Sequence, residues 1–471
     1  MTEILKLIEN IVWGVPLLVI ILTGGLLLTI RLKLIQIRRL PLALKWMVTQ
    51  EEGATGNVSS FGALCTALSA TIGTGNIVGV AMAICLGGPG ALFWLLVAGT
   101  LGLATKYAEG LLAIKYREVA PDGHTYGGPF SYIEKGMGKK WTWLAKLFAV
   151  CGALAAILGV GTFTQVQSIS NSILDFCNFE EGATWVLPVI GEIRAEFGAT
   201  VIISVVLTVL VAAVLLGGIQ RISNVASLVV PFMAVTYIGF ALFLVIYNIK
   251  AVPAAATLVL KGAFNPSAVT GGAVGSIFVA MQHGISKGVF SNEAGLGSAP
   301  IAAAAAKAKE PVRQGLVTMN GAFITNIICA MTGLALVITG AWDEGVGDGF
   351  PVTRLAFQKG IPFLDSNIVS AILTMSLVFF AFTTIIGWDY YSESCVEYLT
   401  KGNLKAVKLS KYIYIAAVFV GPFMTTGGVW TIANIFNGVM AFPNMIAIFA
   451  LSGVVVKDTK DFFKAGKHKK K

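Results

Sequence analysis

The chain has 471 residues, of which 56% are hydrophobic and only 12% are charged. Because soluble domains are about one quarter charged, this composition excludes a water-soluble enzyme of two or three domains, and it also excludes a disordered chain. The mean hydropathy is +0.80, and the 53 glycines fit the high glycine content of transmembrane helices. The sequence therefore predicts an all-α integral membrane protein.

The formal net charge of +10 is concentrated in hydrophilic stretches, above all in the tail 457–471, which holds seven lysines. Lysines beside a membrane set its topology and contact anionic lipid. We therefore expect the lipid bilayer, and no nucleic acid, as the partner of these charges.

A helix that crosses a bilayer needs about 20 mostly apolar residues. The sequence contains eleven candidate spans of this kind, and their bounds are 11–30, 58–86, 90–114, 142–176, 199–216, 224–248, 268–306, 314–340, 366–394, 412–428 and 431–456. With eleven spans, the basic loops and the tail all lie on one side, and the acidic loops lie on the other. The positive-inside rule then predicts that the N-terminus is outside and the C-terminus is cytoplasmic.

Two of the predicted spans are interrupted near their middle. The second contains Gly73-Thr-Gly-Asn76, and the seventh contains Ser291-Asn-Glu-Ala-Gly295. A freed backbone group inside a membrane has to meet protein, water or a ligand. An isolated glycine is more often a site of close helix packing, but two breaks with Asn76, Asn292 and Glu293 favour a binding site.

Paired interrupted spans are typical of secondary transporters that are built from inverted repeats. The sequence predicts a single membrane domain, 1–471, with an extra helix at 11–30, five-helix repeats at 58–248 and 268–456, and a basic cytoplasmic tail at 457–471. The N-termini of half-helices offer N–H donors to an anionic group, and freed carbonyls suit a small cation. An amino-acid carboxylate and a sodium ion meet these two requirements.

Two further spans carry polar groups that could line such a site. Thr383 and Thr384 offer adjacent hydroxyl oxygens, which hard cations prefer, although membrane threonines more often bond to their own backbone. Trp388 follows Thr384 by one turn on the same face. Gln165 could equally be a substrate ligand or an interhelical hydrogen bond.

These segments resemble the alanine or glycine:cation symporter family, which shares the leucine-transporter-type fold. The resemblance extends over most of the chain and includes Ala70–Gly79, Gly87–Ala91, Thr105–Glu109, Phe290–Pro300, Pro311–Gln314 and Ile386–Trp388. It implies a plasma-membrane symporter of prokaryotic origin that couples the uptake of alanine or glycine to sodium.

The resemblance also implies site residues. The substrate pocket would be lined by Thr74, Gly75, Gln165, Phe290, Thr384 and Trp388. Sodium would be held by carbonyls of Ser69, Ile72 and Phe380 and by the hydroxyls of Thr383 and Thr384. Thr325, Gln167 and Asp389 depart from the residues that are usual in the family, which leaves the ligand set and the substrate range open.

Three alternatives remain at this point. A proton-coupled permease of the same superfamily is the nearest, with Glu293 as a possible titratable group. An enzyme is disfavoured because Gly284-Ile-Ser-Lys-Gly288 lies in a membrane span, which offers no strand for a nucleophile elbow. A channel is disfavoured because it would need a continuous pore.

Overall fold

The computed structural model of the protein describes residues 2–51, 53–120, 123–180, 182–187, 191–264, 277–347, 349–424 and 426–466. The predicted residues 268–276 of the seventh span and the last five residues of the tail lie outside these ranges. The described chain is mostly helical, with two small hairpins, and this confirms the all-α membrane class.

The described residues up to Phe264 contain thirteen α-helices. They are α1 Thr2–Val12, α2 Val15–Arg31, α3 Ile35–Arg38, α4 Leu40–Val48, α5 Ser60–Thr71, α6 Val78–Gly87, α7 Gly90–Tyr116, α8 Pro129–Gly136, α9 Thr142–Leu158, α10 Phe163–Cys177, α11 Ala195–Leu215, α12 Gly218–Tyr247 and α13 Val252–Phe264. Two antiparallel hairpins connect some of them, β1 Glu118–Val119 with β2 Thr125–Tyr126, and β3 Thr184–Leu187 with β4 Gly191–Arg194.

The second half contains seven described helices. They are α14 Ile277–Asn292, α15 Ala299–Ala304, α16 Pro311–Thr339, α17 Phe350–Gly360, α18 Ser366–Leu399, α19 Leu404–Val420 and α20 Thr426–Lys464. Helix α20 continues through Lys464, so the first part of the predicted tail is helical, and there Asp458 accepts a bond from Lys115 at 2.6 Å.

Within the described residues, nine segments are long and apolar enough to cross a membrane, and the bent pair of α5 with residues 74–87 makes a tenth. The remaining predicted span, the seventh, is divided between α14 and α15, which are short because the chain breaks between them. The inverted symmetry of the two repeats stays a prediction.

The segments predicted to be inner loops lie together at one end of the bundle. The Arg117 guanidinium donates to the carbonyls of Thr55 at 3.1 Å, Ala306 at 2.7 Å and Ala308 at 2.9 Å. It therefore joins the chain just before α5 to the chain just after α15. We call this end of the bundle, where the basic loops meet, the basic end.

Candidate functional site

The first break lies between α5 and α6, and the two helices are bent by 64° there. The side chain of Asn76 accepts a hydrogen bond from the Gly73 N–H at 3.1 Å. That N–H consequently does not return to the Ser69 carbonyl, which belongs to the last turn of α5. The break thus frees an acceptor at the C-terminus of one half-helix and donors at the N-terminus of the next.

The donors are the amides of Thr74 and Gly75. The Thr74 N–H faces Oε1 of Gln165 at 3.5 Å, at the outer limit of a hydrogen bond. In the part of the chain that the structure describes, no bond engages the Gly75 N–H, and the buried Thr74 hydroxyl also has no partner. Two amides and a hydroxyl are thereby available to an anionic group.

The acceptors lie where α18 passes the end of α5. The Thr384 hydroxyl is 2.9 Å from the Phe380 carbonyl and 3.4 Å from the Ile72 carbonyl, and the Thr383 hydroxyl is 3.1 Å from the Phe380 carbonyl. Ser69 of α5 packs against Gly387, one turn after Thr384 in α18. The approach is close, because a Cβ on Gly387 would be 2.6 Å from the Ser69 hydroxyl oxygen. The structure therefore brings the predicted sodium ligands of α5 and α18 against each other.

The second break begins at Asn292, whose side-chain oxygen caps the Ala294 N–H at 2.8 Å. The chain then takes left-handed conformations at Glu293, Gly295 and Gly297, with φ of +53°, +88° and +82°. Two of these three positions are glycine, which adopts such angles without steric cost.

The two breaks are in direct contact. The Ser291 hydroxyl donates to the Gly75 carbonyl at 2.8 Å, and a Cβ on Gly75 would be 3.1 Å from Cδ1 of Phe290. A glycine at position 75 is therefore needed for the helices to approach this closely, and Phe290 forms the wall beside the free amides.

Glu293 carries the only carboxylate of the second break, and it is buried. It accepts hydrogen bonds from the Ser298 hydroxyl at 2.6 Å, from the Thr71 hydroxyl at 3.3 Å and from the Trp388 indole at 3.2 Å. Lys106 is buried near it and attracts both Glu293 and Glu109. Trp388 is thus joined to the second break by its hydrogen bond to Glu293, and the sequence alone did not predict this contact.

The sequence also did not predict how the loop of the second break is held. Glu109 accepts from the Gly295 N–H at 3.1 Å and from the Asn444 amide at 2.7 Å, and Asn444 donates in turn to the Gly295 carbonyl at 2.9 Å. These bonds fix the loop to α7 and α20. The partners are 186 and 335 residues apart from Glu109, so no local pattern could reveal them.

Gln165 owes its position to a third break, between α9 and α10, within the fourth predicted span. The chain leaves the helix at Gly159 and re-enters it at Phe163, and the Tyr414 hydroxyl donates to the Gly161 carbonyl there at 2.8 Å. The sequence Gly159-Val-Gly-Thr162 is the signal that could have revealed it, because two glycines lie mid-span.

The candidate site is closed to solvent in this conformation. The predicted pocket residues are all buried, and the ring of Phe290 lies 5.8 Å from that of Trp430. Trp430 borders a cavity of about 460 Å³ that Val78 and Ser168 also line, one turn beyond Thr74 and Gln165. This cavity lies at the end of the bundle opposite the basic end, and Phe290 with Trp430 separates it from the site.

Comparisons with known proteins agree with this architecture. An uncharacterized transporter of Haemophilus influenzae is 48% identical over 98% of this chain and 96% of its own. The sodium/alanine symporter AgcS of Methanococcus maripaludis is 42% identical over 100% of this chain and 99% of its own. Among solved structures, MhsT in complex with L-phenylalanine is similar with a TM-score of 0.56 and 14% identity, covering 87% of this chain and 93% of that one. The last likeness concerns the fold alone.

A family description also matches the whole chain, residues 1–471, and it is that of the sodium:alanine symporters. Its members are transporters of the cell membrane and not enzymes, which agrees with the broken helices and the neutral oxygen cluster described above. The chain belongs to the sodium:alanine symporter family.

Proposed function

We propose that this protein is a sodium-coupled symporter that takes alanine and glycine into the cell by alternating access. The observation that carries the proposal is the meeting of amide donors and oxygen acceptors at the first break, where the Thr384 hydroxyl is 3.4 Å from the Ile72 carbonyl and the Gly75 N–H is unengaged among the described residues. A zwitterion and a cation need these two kinds of group side by side.

The substrate carboxylate would bind the N–H groups of Thr74 and Gly75 at the start of α6, where the helix dipole favours an anion. The Thr74 hydroxyl would add a further donor, and Gln165 would move from the Thr74 amide to the substrate. The proposal explains why the contact between Gln165 and Thr74 is long at 3.5 Å, since a stronger bond would compete with the carboxylate.

Sodium would bind the carbonyls of Ser69, Ile72 and Phe380 and the hydroxyls of Thr383 and Thr384. All of these ligands are neutral oxygens, which suit a hard monovalent cation. Because the carbonyls belong partly to α5 and the hydroxyls to α18, the ion would hold the broken helix against a neighbouring one. Ion and solute would favour the same conformation, and this linkage is what coupling requires.

The substrate preference would follow from the pocket walls. Phe290 lies against Gly75, and the Trp388 indole is held by Glu293, so both aromatic side chains are fixed in place. A fixed wall beside the carboxylate position leaves room for a hydrogen or a methyl group. We propose this as the basis of selectivity for glycine and alanine.

Uptake of labelled alanine by proteoliposomes tests the proposal. Under an imposed sodium gradient we expect concentrative uptake that saturates with alanine, and no comparable uptake under a proton gradient alone. Uptake that followed the proton gradient without sodium would favour the proton-coupled alternative. A flux that did not saturate would favour a channel.

A further inference from the structure

A second group of buried charges lies on α18, beyond the candidate pocket toward the basic end. Asp389 follows Trp388 and is completely buried, with 0% of its surface exposed. Within the described residues, no donor reaches either of its carboxylate oxygens. An ionised carboxylate that is buried without a donor costs several kcal/mol, so a proton or a cation is expected to accompany it.

Glu393 is the nearest acidic group, one helical turn beyond Asp389 on the same face of α18. The two carboxyl groups are close enough to hydrogen-bond with each other. Two ionised carboxylates both accept and neither donates, so this bond requires that one of them carry a proton. Sharing one proton would satisfy Asp389 without any other donor.

Lys411 of α19 supplies one positive charge to this pair. Its ammonium group contacts the Glu393 carboxylate and donates to the Leu215 carbonyl at 2.8 Å. One lysine balances one carboxylate, so the second carboxyl is neutral only when it is protonated. The ammonium also occupies the position beside Glu393 that a metal cation would need, and this favours a proton as the ligand.

Two tyrosines also face the pair. Among the described residues, Tyr414 of α19 faces Asp389, and Tyr390 of α18 faces Glu393 and Glu397. Tyr414 donates its hydroxyl hydrogen bonds to the Gly161 and Ile385 carbonyls. It is therefore committed to other acceptors and does not supply a proton to Asp389.

A route to water starts at Glu393. A cavity of about 630 Å³ opens at the basic end, and its wall includes Tyr390, Glu393 and Glu397 of α18 together with His124. The Glu393 side chain is 14% exposed, whereas Asp389 does not reach the cavity wall. A proton from the cavity can therefore reach Glu393 first and pass to Asp389 across their shared hydrogen bond.

We propose that Asp389 and Glu393 form a proton-binding site that holds one shared proton and that Lys411 balances the remaining negative charge. One O–H bond forms when a proton enters from cavity water, and the same bond breaks when the proton leaves. Loss of the proton places two like charges beside each other in a buried position. Because α18 also carries Thr384 and Trp388, this repulsion acts on the helix that forms the pocket.

Infrared spectroscopy of the purified protein tests the site without any transport. The difference spectrum between the wild type and Asp389→Asn should contain the C=O stretching band of a protonated carboxylic acid, and this band should shift in D2O. Glu393→Gln should also lose it, because its amide donates to Asp389 in place of the shared proton. If both variants kept the band of the wild type, the proposal would be overturned.

Glu397→Gln is the matched control, because it removes another glutamate of α18 from the same cavity, where Glu397 contacts His124 at 2.8 Å. The control should keep the band. If it alone abolished the band, the protonated group would be Glu397 and the proposal would be wrong.

The effect on transport rests on the function proposed above. Sodium-driven alanine uptake should fall when the pH is raised in the compartment that the basic end faces. The fall should be at most about tenfold per pH unit, which is the limit for one titrating proton. Asp389→Asn should flatten this profile. A pH profile of Asp389→Asn that matched the wild type would contradict a role of the site in transport. If the wild type had no sodium-driven uptake at any pH, the proposed function would be refuted, and the infrared result alone would decide the proton site.

Discussion

The Trp388 indole N–H donates a hydrogen bond to Oε1 of Glu293 at 3.2 Å, which joins α18 to the break between α14 and α15. The same carboxylate accepts bonds from Ser298 within the break and from Thr71 at the end of α5. One buried side chain therefore connects both discontinuous helices to the helix that carries the hydroxyl pair.

Replacing Glu293 by glutamine should weaken all of these connections. Bonds to a charged acceptor contribute about 1.5–3 kcal/mol, and the glutamine also removes the charge that attracts Lys106. We expect sodium-driven alanine uptake to fall by about tenfold or more. The control is Glu196→Gln, which changes an exposed glutamate at the start of α11. Equal uptake by both variants would contradict a role for the carboxylate.

The sodium dependence of uptake should change in Thr384→Ala. This substitution removes the hydroxyl that lies between the Phe380 and Ile72 carbonyls, so the proposed ion loses one of its ligands. We expect the sodium concentration for half-maximal uptake to rise by about tenfold, which corresponds to about 1.4 kcal/mol. Thr325→Ala is the matched control, because the Thr325 hydroxyl bonds only to carbonyls of its own helix, α16, among the described residues. A rise in the control and not in the variant would place sodium elsewhere.

Gly75→Ala should abolish most of the uptake while the protein still folds. The added Cβ would meet Cδ1 of Phe290 at 3.1 Å, the Ser291 hydroxyl at 3.2 Å and the Ser291 backbone at 3.3 Å, and these approaches would push the two breaks apart. Gly79→Ala, one turn along α6, is the control, since its Cβ would meet the Ser291 hydroxyl at an ordinary 3.9 Å. We expect at least about a tenfold difference in uptake between the two variants at equal amounts of folded protein. A tolerated alanine at position 75 would show that the close approach of the breaks is not required.

Substrate selectivity should relax in Phe290→Leu. The smaller side chain widens the space beside Gly75, and a single methylene group in an apolar pocket changes discrimination by about tenfold or more. Competition by unlabelled valine or leucine against labelled alanine measures this change. Phe130→Leu is the control, because Phe130 is also buried but stacks on Tyr398 at 4.7 Å. Unchanged competition by the larger amino acids would remove Phe290 from the pocket wall.

The breaks at Gly73–Asn76 and after Asn292 could be predicted from the sequence because glycine and polar residues interrupt apolar runs there. The membrane class followed from composition, and the family followed from motifs that contain the same residues. The ligand roles of Thr74, Gly75 and the α18 threonines stay predictions, although the structure brings these groups together.

The remaining features depend on contacts between distant parts of the chain. The bonds of Glu109 to Gly295 and Asn444 cannot be read from spacing, and neither can the contact of Trp388 with Glu293. The break before Gln165 was missed because two glycines in one apolar run also suit close helix packing. The structure distinguishes the two possibilities, because the helix ends at Leu158 and resumes at Phe163, and Tyr414 donates to the Gly161 carbonyl between them.

Arg117 binds carbonyls in the segments that flank the two broken helices, at Thr55 ahead of α5 and at Ala306 and Ala308 behind α15. If a broken helix moved away from the basic end during the proposed alternating access, it would withdraw acceptors from this shared guanidinium, so movements of the two helices would be cooperative. In the proposed symport, this arrangement would act against slippage, in which an ion escapes inward while its amino acid stays behind. A fixed ratio of transported amino acid to ion would then depend on an arginine that contacts neither of them.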